Sequence, residues 1–284
     1  MWWFLGLAGL AVLTWAILSA NRILYPVRRV LSPPNPLPTH SVHAMQAADG
    51  SRFDVWRLDP AHAPRARVLI FHGYYANRYQ VLGLAAALRD RDYQVLLCEL
   101  RGHGSRPGPC TLGVKETRDA LMVLHWAQAG DRGSALPVAV IGLSLGAAVA
   151  CQVAKRHPQV AAVVADSPYS RFYPIVCRAI WRQYHVPPTP WGWVTWVGLG
   201  LALGRWPGSL DPAALAPSLE QPLFVIQGGA DPVVTPSNRE AFFDRWAGPK
   251  ERWVVPGVIH VGMWGHDPQG YSHRVAEFLG RVVG

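Results

Sequence analysis

The sequence predicts an α/β fold in which helices cover both faces of a mostly parallel, eight-stranded sheet. From about residue 65 onward, short apolar runs alternate with longer stretches that have helical periodicity. Two strand-like runs joined by a hairpin signal precede this alternation, and they are expected at one edge of the sheet. Half of the 284 residues are hydrophobic and only 16% are charged, which suffices for a large buried core.

The eight predicted strands fall into two groups. Residues 40–47 and 52–58 form the hairpin, because Asp49-Gly50 between them is a tight-turn signal. The later strands are short apolar runs, as expected for parallel strands buried on both faces. They cover residues 67–71, 94–100, 138–141, 160–165, 223–227 and 253–255.

Five helices are predicted between and after these strands. They cover residues 78–89, residues 113–129, the stretch after Ser144, a stretch opening near Ser237 and a last one from about residue 271. Apolar residues recur on one side of the 113–129 helix. Ser237 and Glu240 have the spacing of a capping box, which predicts the start of the fourth helix.

The section from 169 to 217 breaks the alternation and is expected to form a cap of helices and loops over the sheet. It is rich in tryptophan. The simplest interpretation is that these side chains pack the cap onto the body. The alternatives are an apolar wall for a ligand and a surface that rests on lipid. The tryptophans are Trp181, Trp191, Trp193, Trp196 and Trp206.

Residues 2–20 contain no charged side chain. As a helix, these 19 residues reach about 28 Å, close to the hydrocarbon thickness of a bilayer. A cleaved signal peptide is the rival, but a basic leading region is missing and Leu18 is large for a cleavage site after Ala20. The expected organisation is a transmembrane anchor at 1–21, a proline-rich linker at 22–38 and a catalytic or binding domain at 39–284.

Arg22, Arg28 and Arg29 follow the apolar run. By the positive-inside tendency, a single-pass protein would therefore expose the rest of the chain to the cytoplasm. The net charge of +9 is spread along the sequence without a basic run interleaved with aromatic residues, so no nucleic-acid partner is expected. The four cysteines have neither zinc-site spacing nor a disulfide pattern, and no metal or cofactor is expected.

The stretch Gly142–Gly146 carries the strongest chemical signal. An apolar strand leads into Gly-Leu-Ser-Leu-Gly, and a run of small residues typical of a tightly packed helix follows. This strand–turn–helix context places Ser144 at the apex of a sharp turn, where its hydroxyl is exposed. Ser144 is therefore a candidate nucleophile.

A serine nucleophile requires a base and an acid that orients the base. Asp231 and His260 each follow a predicted strand, so both are expected at the carboxyl edge of the sheet beside Ser144. Asp166 is the rival acid and His266 the rival base. His72 and His103, each beside a glycine after a strand, are interpreted as structural.

A developing oxyanion needs two backbone N–H donors. The N–H of Leu145 lies directly after the candidate nucleophile at a helix N-terminus. The second donor is expected to be the N–H of Tyr74, which follows His72-Gly73 after a strand.

These motifs resemble the α/β-hydrolase superfamily from about residue 65 onward. The resemblance rests on His72-Gly73, the Arg-Gly-His-Gly-Ser loop at 101–105, Gly142–Gly146 and the two loops with Asp231 and His260. Asn77-Arg78 together with Asp-Ser-Pro-Tyr-Ser at 166–170 is similar to a narrower branch of membrane-anchored or lipid-acting serine esterases related to the α/β-hydrolase-domain proteins.

The resemblance implies a serine hydrolase of esters, thioesters or amides without metal or organic cofactor. It assigns the nucleophile to Ser144, the acid to Asp231 and the base to His260. Ile259 departs from the pattern, since the family often has a small or polar residue before the histidine.

The expected function is therefore hydrolysis of a carboxylic ester with an apolar, lipid-like acyl group by a membrane-tethered enzyme. A peptidase or amidase and an acyltransferase use the same three residues and remain alternatives. A non-catalytic module that holds a partner or a lipid at the membrane is an alternative from another class.

Overall fold

The computed structural model describes residues 2–28, 31–131 and 135–283, and it contains an eight-stranded sheet. The order across the sheet is β1-β2-β4-β3-β5-β6-β7-β8. β1 and β2 pair antiparallel at one edge, β2 is antiparallel to β4, and the remaining pairs are parallel. The predicted fold class is confirmed. The strands are β1 (Ser41–Gln46), β2 (Arg52–Leu58), β3 (Ala66–Phe71), β4 (Tyr93–Cys98), β5 (Val138–Leu143), β6 (Val160–Asp166), β7 (Leu223–Gly228) and β8 (Lys250–Val255).

Helices cover both faces of the sheet. Along β3, Val68 and Ile70 point into one buried cluster while Leu69 and Phe71 point into the other, as the two-residue period of a strand requires. One cluster lies under α3 (Val114–Ala129), α4 (Leu145–Arg156) and α8 (Pro236–Arg245), and the other under α2 (Tyr79–Arg89) and α10 (Pro268–Val283). A short helix, α9 (Met263–His266), precedes α10.

The predicted capping box at Ser237 is wrong. Helix α8 begins one residue earlier, at Pro236, and its N-cap is Thr235, whose hydroxyl accepts a hydrogen bond from the N–H of Asn238 at 3.3 Å. A proline suits the first helical position because its fixed φ is already helical and its missing N–H would have no partner there.

Two further boundaries differ from the prediction. β8 begins at Lys250 rather than at 253, because its exposed polar residues pair with β7 through the backbone. α10 begins at Pro268 rather than at 271. In both cases the extension adds residues outside the apolar pattern on which the prediction relied.

The section between β6 and β7 forms a helical cap, as predicted. Its main helices are α5 (Tyr173–Tyr184) and α6 (Pro188–Leu203), followed by the short α7 (Pro212–Leu215). Trp196 is buried in a cluster with residues of the N-terminal helix, so the packing interpretation is confirmed for this residue. The interpretation that the tryptophans pack the cap onto the body is wrong for Trp181, Trp193 and Trp206, which are 52%, 58% and 53% exposed.

The N-terminal apolar run forms α1 (Trp2–Leu24), and its stretch Leu5–Leu24 is long and apolar enough to cross a membrane. The helix extends three residues beyond the predicted limit at 21. Its last turn is fixed to the body, since the Tyr74 hydroxyl donates to the carbonyl of Ile23 and the N–H of Cys110 donates to that of Leu24, both at 2.6 Å. These bonds satisfy carbonyls that lack an intrahelical partner. Arg29 lies outside the described residues.

The carboxylate of Asp119 lies between the guanidinium groups of two buried arginines. It accepts hydrogen bonds from Arg101 at 2.7 Å and from Arg106 at 2.6 Å, and all three side chains are at most 5% exposed. Asp119→Asn should lower the free energy of unfolding by about 3–5 kcal/mol, because it removes the carboxylate that buried Arg106 binds and leaves Arg101 with Asp49. Asp90→Asn is the control, since Asp90 is 62% exposed beside Arg89 and should cost less than about 1 kcal/mol. Urea unfolding of the full chain in detergent checks both variants, and equal losses would contradict this account.

Candidate active site

Ser144 sits at the apex of the turn between β5 and α4. Its φ of 52° and ψ of −109° are unusual for a residue with a side chain, and such a backbone costs about 1–3 kcal/mol. The turn is held by a 2.8 Å hydrogen bond from the N–H of Ser144 to the carbonyl of Asp166. Strain of this kind lifts the hydroxyl above the sheet, as expected for a nucleophile elbow.

The glycines on either side permit this turn through close packing. A Cβ on Gly142 would lie 2.1 Å from the carbonyl oxygen of Gly146, and a Cβ on Gly146 would lie 2.3 Å from that of Phe71. Backbone on both sides prevents relaxation, so α4 can approach the sheet only with glycine at these positions.

Gly146→Ala should therefore lower the free energy of unfolding by about 3 kcal/mol or displace α4 from the sheet. The control is Gly265→Ala, where the added Cβ meets no atom within 4 Å and should change stability by less than about 0.5 kcal/mol. Thermal unfolding followed by circular dichroism measures both changes. Equal stability of the two variants would contradict the packing argument.

Ser144, His260 and Asp231 lie in one hydrogen-bonded chain. The Nε2 atom of His260 is 2.9 Å from the Oγ of Ser144, and the Nδ1 atom is 2.7 Å from Oδ2 of Asp231. Because an ionised carboxylate only accepts hydrogen bonds, Nδ1 carries the proton and Nε2 is left to accept from the serine hydroxyl. The arrangement can therefore take a proton from Ser144.

Asp231 is held rigidly at the carboxyl end of β7. Its Oδ1 accepts hydrogen bonds from the N–H groups of Val233 and Val234, and its side chain is only 4% exposed. Burial raises the pKa of Asp231, but the hydrogen bonds from His260 and the two N–H groups outweigh burial and hold this pKa below its ordinary value. The carboxylate thus stays ionised where it faces the imidazole.

The structure places the rival residues elsewhere. Asp166 is fully buried, and its carboxylate accepts hydrogen bonds from Ser167 at 2.8 Å and from Tyr271 at 2.9 Å. Burial, only partly offset by these bonds, raises the pKa of Asp166 to about 6. His266 is exposed at the end of α9. Asp231 and His260 are therefore the acid and the imidazole that the fold brings to Ser144.

A hydrogen bond to the residue after β6 fixes the loop that carries His260. The N–H of Val261 donates to the hydroxyl of Ser167 at 3.0 Å, which ties this loop to the residue that follows β6. Ile259, the departure from the family pattern, points outward and is 60% exposed. The hydrogen bonds of His260 to Ser144 and Asp231 are thus formed with an isoleucine at this position.

Both predicted oxyanion residues border the site. Leu145 is the first residue of α4, so its N–H is one of the amide groups without an intrahelical acceptor. Tyr74 lies in the turn after β3, and its ring and Leu145 line the same cavity as Ser144.

His72 is structural, as predicted. Its Nε2 accepts a hydrogen bond from the N–H of Leu100 at 3.1 Å, while Nδ1 lies 2.8 Å from the carbonyl of Gly73, so it joins the loops after β3 and β4. Burial lowers the pKa of His72 to about 3, which keeps the ring neutral. His103 is also buried, and its Nδ1 lies 2.8 Å from the carbonyl of Arg101.

A cavity of about 270 Å³ opens above Ser144 and His260, and its walls are almost entirely apolar. Two parts of these walls were not predicted. Ile23 comes from α1, and a row of residues comes from α5 and the segment before it. None of the five cap tryptophans lines this cavity, so the alternative interpretation of these residues as an apolar wall does not apply to it. The other lining residues are Tyr74, Tyr75, Leu145, Tyr169, Phe172, Ile175, Val176, Ala179 and Val233.

Nothing in the sequence indicated that Ile23 lines the cavity, because its position there depends on packing between distant segments. The apolar character of Ile175, Val176 and Ala179 was visible, but the face of α5 that they occupy was not. Within the described ranges, no group of three or more His, Cys, Asp or Glu side chains is placed to hold a metal ion.

Comparison with known proteins supports the fold and identifies relatives of this chain. The family described as serine aminopeptidase S33 matches residues 62–194. An uncharacterised protein of Mycobacterium tuberculosis (strain CDC 1551 / Oshkosh) is 30% identical over 93% of this chain and 86% of its own length. The uncharacterised protein YfhR of Escherichia coli is 24% identical over 92% of this chain and 87% of its own.

A solved structure with the same fold is the Pyrococcus furiosus esterase Pf2001. It is 25% identical, has a TM-score of 0.74 and is aligned over 92% of this chain and 100% of its own. A hydrolase from Pseudomonas aeruginosa shares the fold at a TM-score of 0.62, with 20% identity and coverage of 84% of this chain and 98% of its own. The strand order, the serine elbow and these relatives lead to one assignment. The chain belongs to the α/β-hydrolase superfamily and is a hydrolase.

Proposed function

We propose that this protein is a membrane-anchored serine esterase that cleaves carboxylic esters with apolar acyl groups. The observation that carries the proposal is the chain of hydrogen bonds from Ser144 through His260 to Asp231 at the base of an apolar cavity. Helix α1 serves as the single membrane anchor. The basic residues Arg22 and Arg28 after it favour a catalytic domain on the cytoplasmic side.

In the proposed reaction, His260 takes the proton of Ser144 as its oxygen attacks the ester carbonyl. The N–H groups of Leu145 and Tyr74 stabilise the resulting oxyanion. His260 then gives its proton to the leaving alcohol, and an acyl-enzyme remains on Ser144. Water, deprotonated by His260, attacks this ester, which releases the carboxylic acid and restores the serine.

The matching family name favours a second candidate, an aminopeptidase. Such an enzyme must bind the ammonium group of a peptide N-terminus, and a carboxylate is the usual partner for that charge. Among the described residues that line the cavity there is no Asp or Glu, and Asp231 behind them is engaged by His260. This lining favours an uncharged acyl group instead.

A substrate panel separates the two candidates. The full chain in detergent should cleave p-nitrophenyl esters, with the best kcat/KM at short to medium acyl length because the cavity is at the small end of ligand sites. Aminoacyl-naphthylamides should be cleaved far more slowly. Faster cleavage of the amides would contradict the esterase proposal and support the aminopeptidase.

A further inference from the structure

We propose that the cap helices α5 and α6 lie in the membrane interface beside α1, so that the active site takes an uncharged fatty-acyl ester directly from the bilayer. This inference rests on the anchoring and ester hydrolysis proposed above. It adds a second membrane-contacting element, a route of substrate entry and a substrate class.

Helix α1 is built into the cap. The indole N–H of Trp15 donates to the hydroxyl of Thr195 on α6 at 3.0 Å, and that hydroxyl donates to Ser19 at 2.9 Å. A Cβ on Gly198 would lie 2.6 Å from the carbonyl of Ala16, so the two helices touch through their backbones. The depth of α1 in a membrane therefore sets the depth of α6.

The sequence of α1 sets that depth. Its apolar run continues through Ala20, and the first charged side chain is Arg22. In the last two turns before Asn21, Ile17 and Leu18 are 51% and 63% exposed and require an apolar environment. With the hydrocarbon boundary near Asn21, Trp15 lies about 9 Å inside it, since each helical residue rises about 1.5 Å. The part of α6 that contacts Trp15 is then at the depth typical of interfacial helices, about 5–10 Å.

The exposed surface of the cap suits this position. Helix α6 has no charged residue along its length, and four of the five large apolar side chains that the cap exposes are aromatic. Tryptophan and tyrosine favour the boundary between headgroups and hydrocarbon. Arg182 and Arg205 are also exposed and can meet anionic headgroups. We call the exposed apolar residues of this surface the cap face: Trp181, Tyr184, Trp193, Leu201 and Trp206.

Helices α1 and α5 also form part of the wall of the active-site cavity. Ile23 at the end of α1 and Val176 of α5 form part of its wall, and Ala179 of α5 is an exposed lining residue. A separate open groove of about 560 Å³ runs between α1 and the cap residues Tyr184 and Trp191, with almost only apolar atoms along it. The groove and the cavity have no lining residue in common, but α1 borders both. An acyl chain in the bilayer can therefore lie in the groove along the helix that leads to the cavity.

The residues that line the active-site cavity also restrict which lipid headgroup the ester can carry. The described residues that line the cavity include no Lys or Arg, so none of them compensates a phosphate charge. The ester should accordingly be uncharged, as in an acylglycerol, rather than a phospholipid.

Depth-dependent quenching tests the position of the cap face. An environment-sensitive fluorophore is placed by Trp193→Cys, Leu201→Cys, Leu10→Cys or Glu277→Cys in the full chain, each with Cys177→Ser to remove the partly accessible native thiol. The protein is reconstituted in phosphatidylcholine–phosphatidylglycerol vesicles whose acyl chains carry bromine. Probes at 10, 193 and 201 should be quenched severalfold more than the probe at Glu277, an exposed residue of α10.

Two other outcomes would overturn part or all of this inference. Quenching at position 10 without quenching at 193 and 201 would overturn the position of the cap and leave the anchor intact. Absence of quenching at all three positions would overturn the anchor together with this inference.

Activity provides the second test. The double variant Trp193→Ser/Leu201→Ser should hydrolyse a medium-chain monoacylglycerol in vesicles about tenfold more slowly, yet cleave water-soluble p-nitrophenyl acetate at the wild-type rate. The matched control is Val42→Ser on β1, which is 54% exposed and should change neither rate. An equal effect on both substrates, or none on either, would overturn the inference. Failure of the wild type to cleave either ester would instead overturn the proposed esterase.

Discussion

Replacing Ser144 with alanine is expected to lower kcat for ester hydrolysis by about 10⁶-fold. The hydroxyl lies 2.9 Å from Nε2 of His260 and is the only atom of this side chain that can form the acyl-enzyme. The fold should be unchanged, because the strained turn is held by the backbone hydrogen bond to Asp166. Single-turnover and steady-state rates of the purified full chain measure the effect.

A double variant sharpens this test. His260→Ala should cause a loss of similar size, and Ser144→Ala/His260→Ala should lose no more than either single variant, because nucleophile and base act as one unit. Additive losses would contradict the shared role. A Ser144→Ala variant that retains a tenth of the wild-type rate would exclude Ser144 as the nucleophile.

Asp231→Asn is expected to lower kcat by about 10⁴-fold. The carboxylate fixes the proton on Nδ1 of His260 at 2.7 Å, whereas an amide can present its NH₂ group to this atom and stabilise the wrong tautomer. Circular dichroism should show a native fold for the variant.

Asp166→Asn is the matched control, since Asp166 is also buried and follows the neighbouring strand but contacts Ser167 and Tyr271 instead of His260. It should reduce kcat by less than about tenfold, an indirect effect through Ser167 and the loop of His260. Reversed effects of the two variants would mean that Asp166 is the orienting acid.

The positions of the three site residues could be predicted because each follows a strand of the sheet. The carboxyl ends of parallel strands meet at one edge, so Ser144 after β5, Asp231 after β7 and His260 after β8 lie close together. Their chain order was a further guide. The choice between Asp231 and Asp166 could be made only as a preference, because both follow strands and both start turn-like segments.

The substrate cavity was less predictable. Its wall combines Ile23 with residues of α5, and the contact between Trp15 and Thr195 joins segments that are 180 residues apart. An apolar helix has the same composition whether it is surrounded by lipid or packs partly on its own protein, so the pattern alone predicts an anchor but not its contact with the cap. The N-cap at Thr235 was missed for a local reason, since Ser237 matched a capping pattern equally well.

The most direct test of the central claim is to map where a fluorophosphonate probe reacts with the full chain. The probe forms a covalent phosphonate ester with a serine that a neighbouring base activates. Digestion and mass spectrometry should find the adduct on Ser144 alone, and prior exposure to an apolar ester should slow its formation. Labelling that persists in Ser144→Ala at the wild-type rate, or an adduct on another serine, would contradict the claim that Ser144, His260 and Asp231 form the catalytic centre.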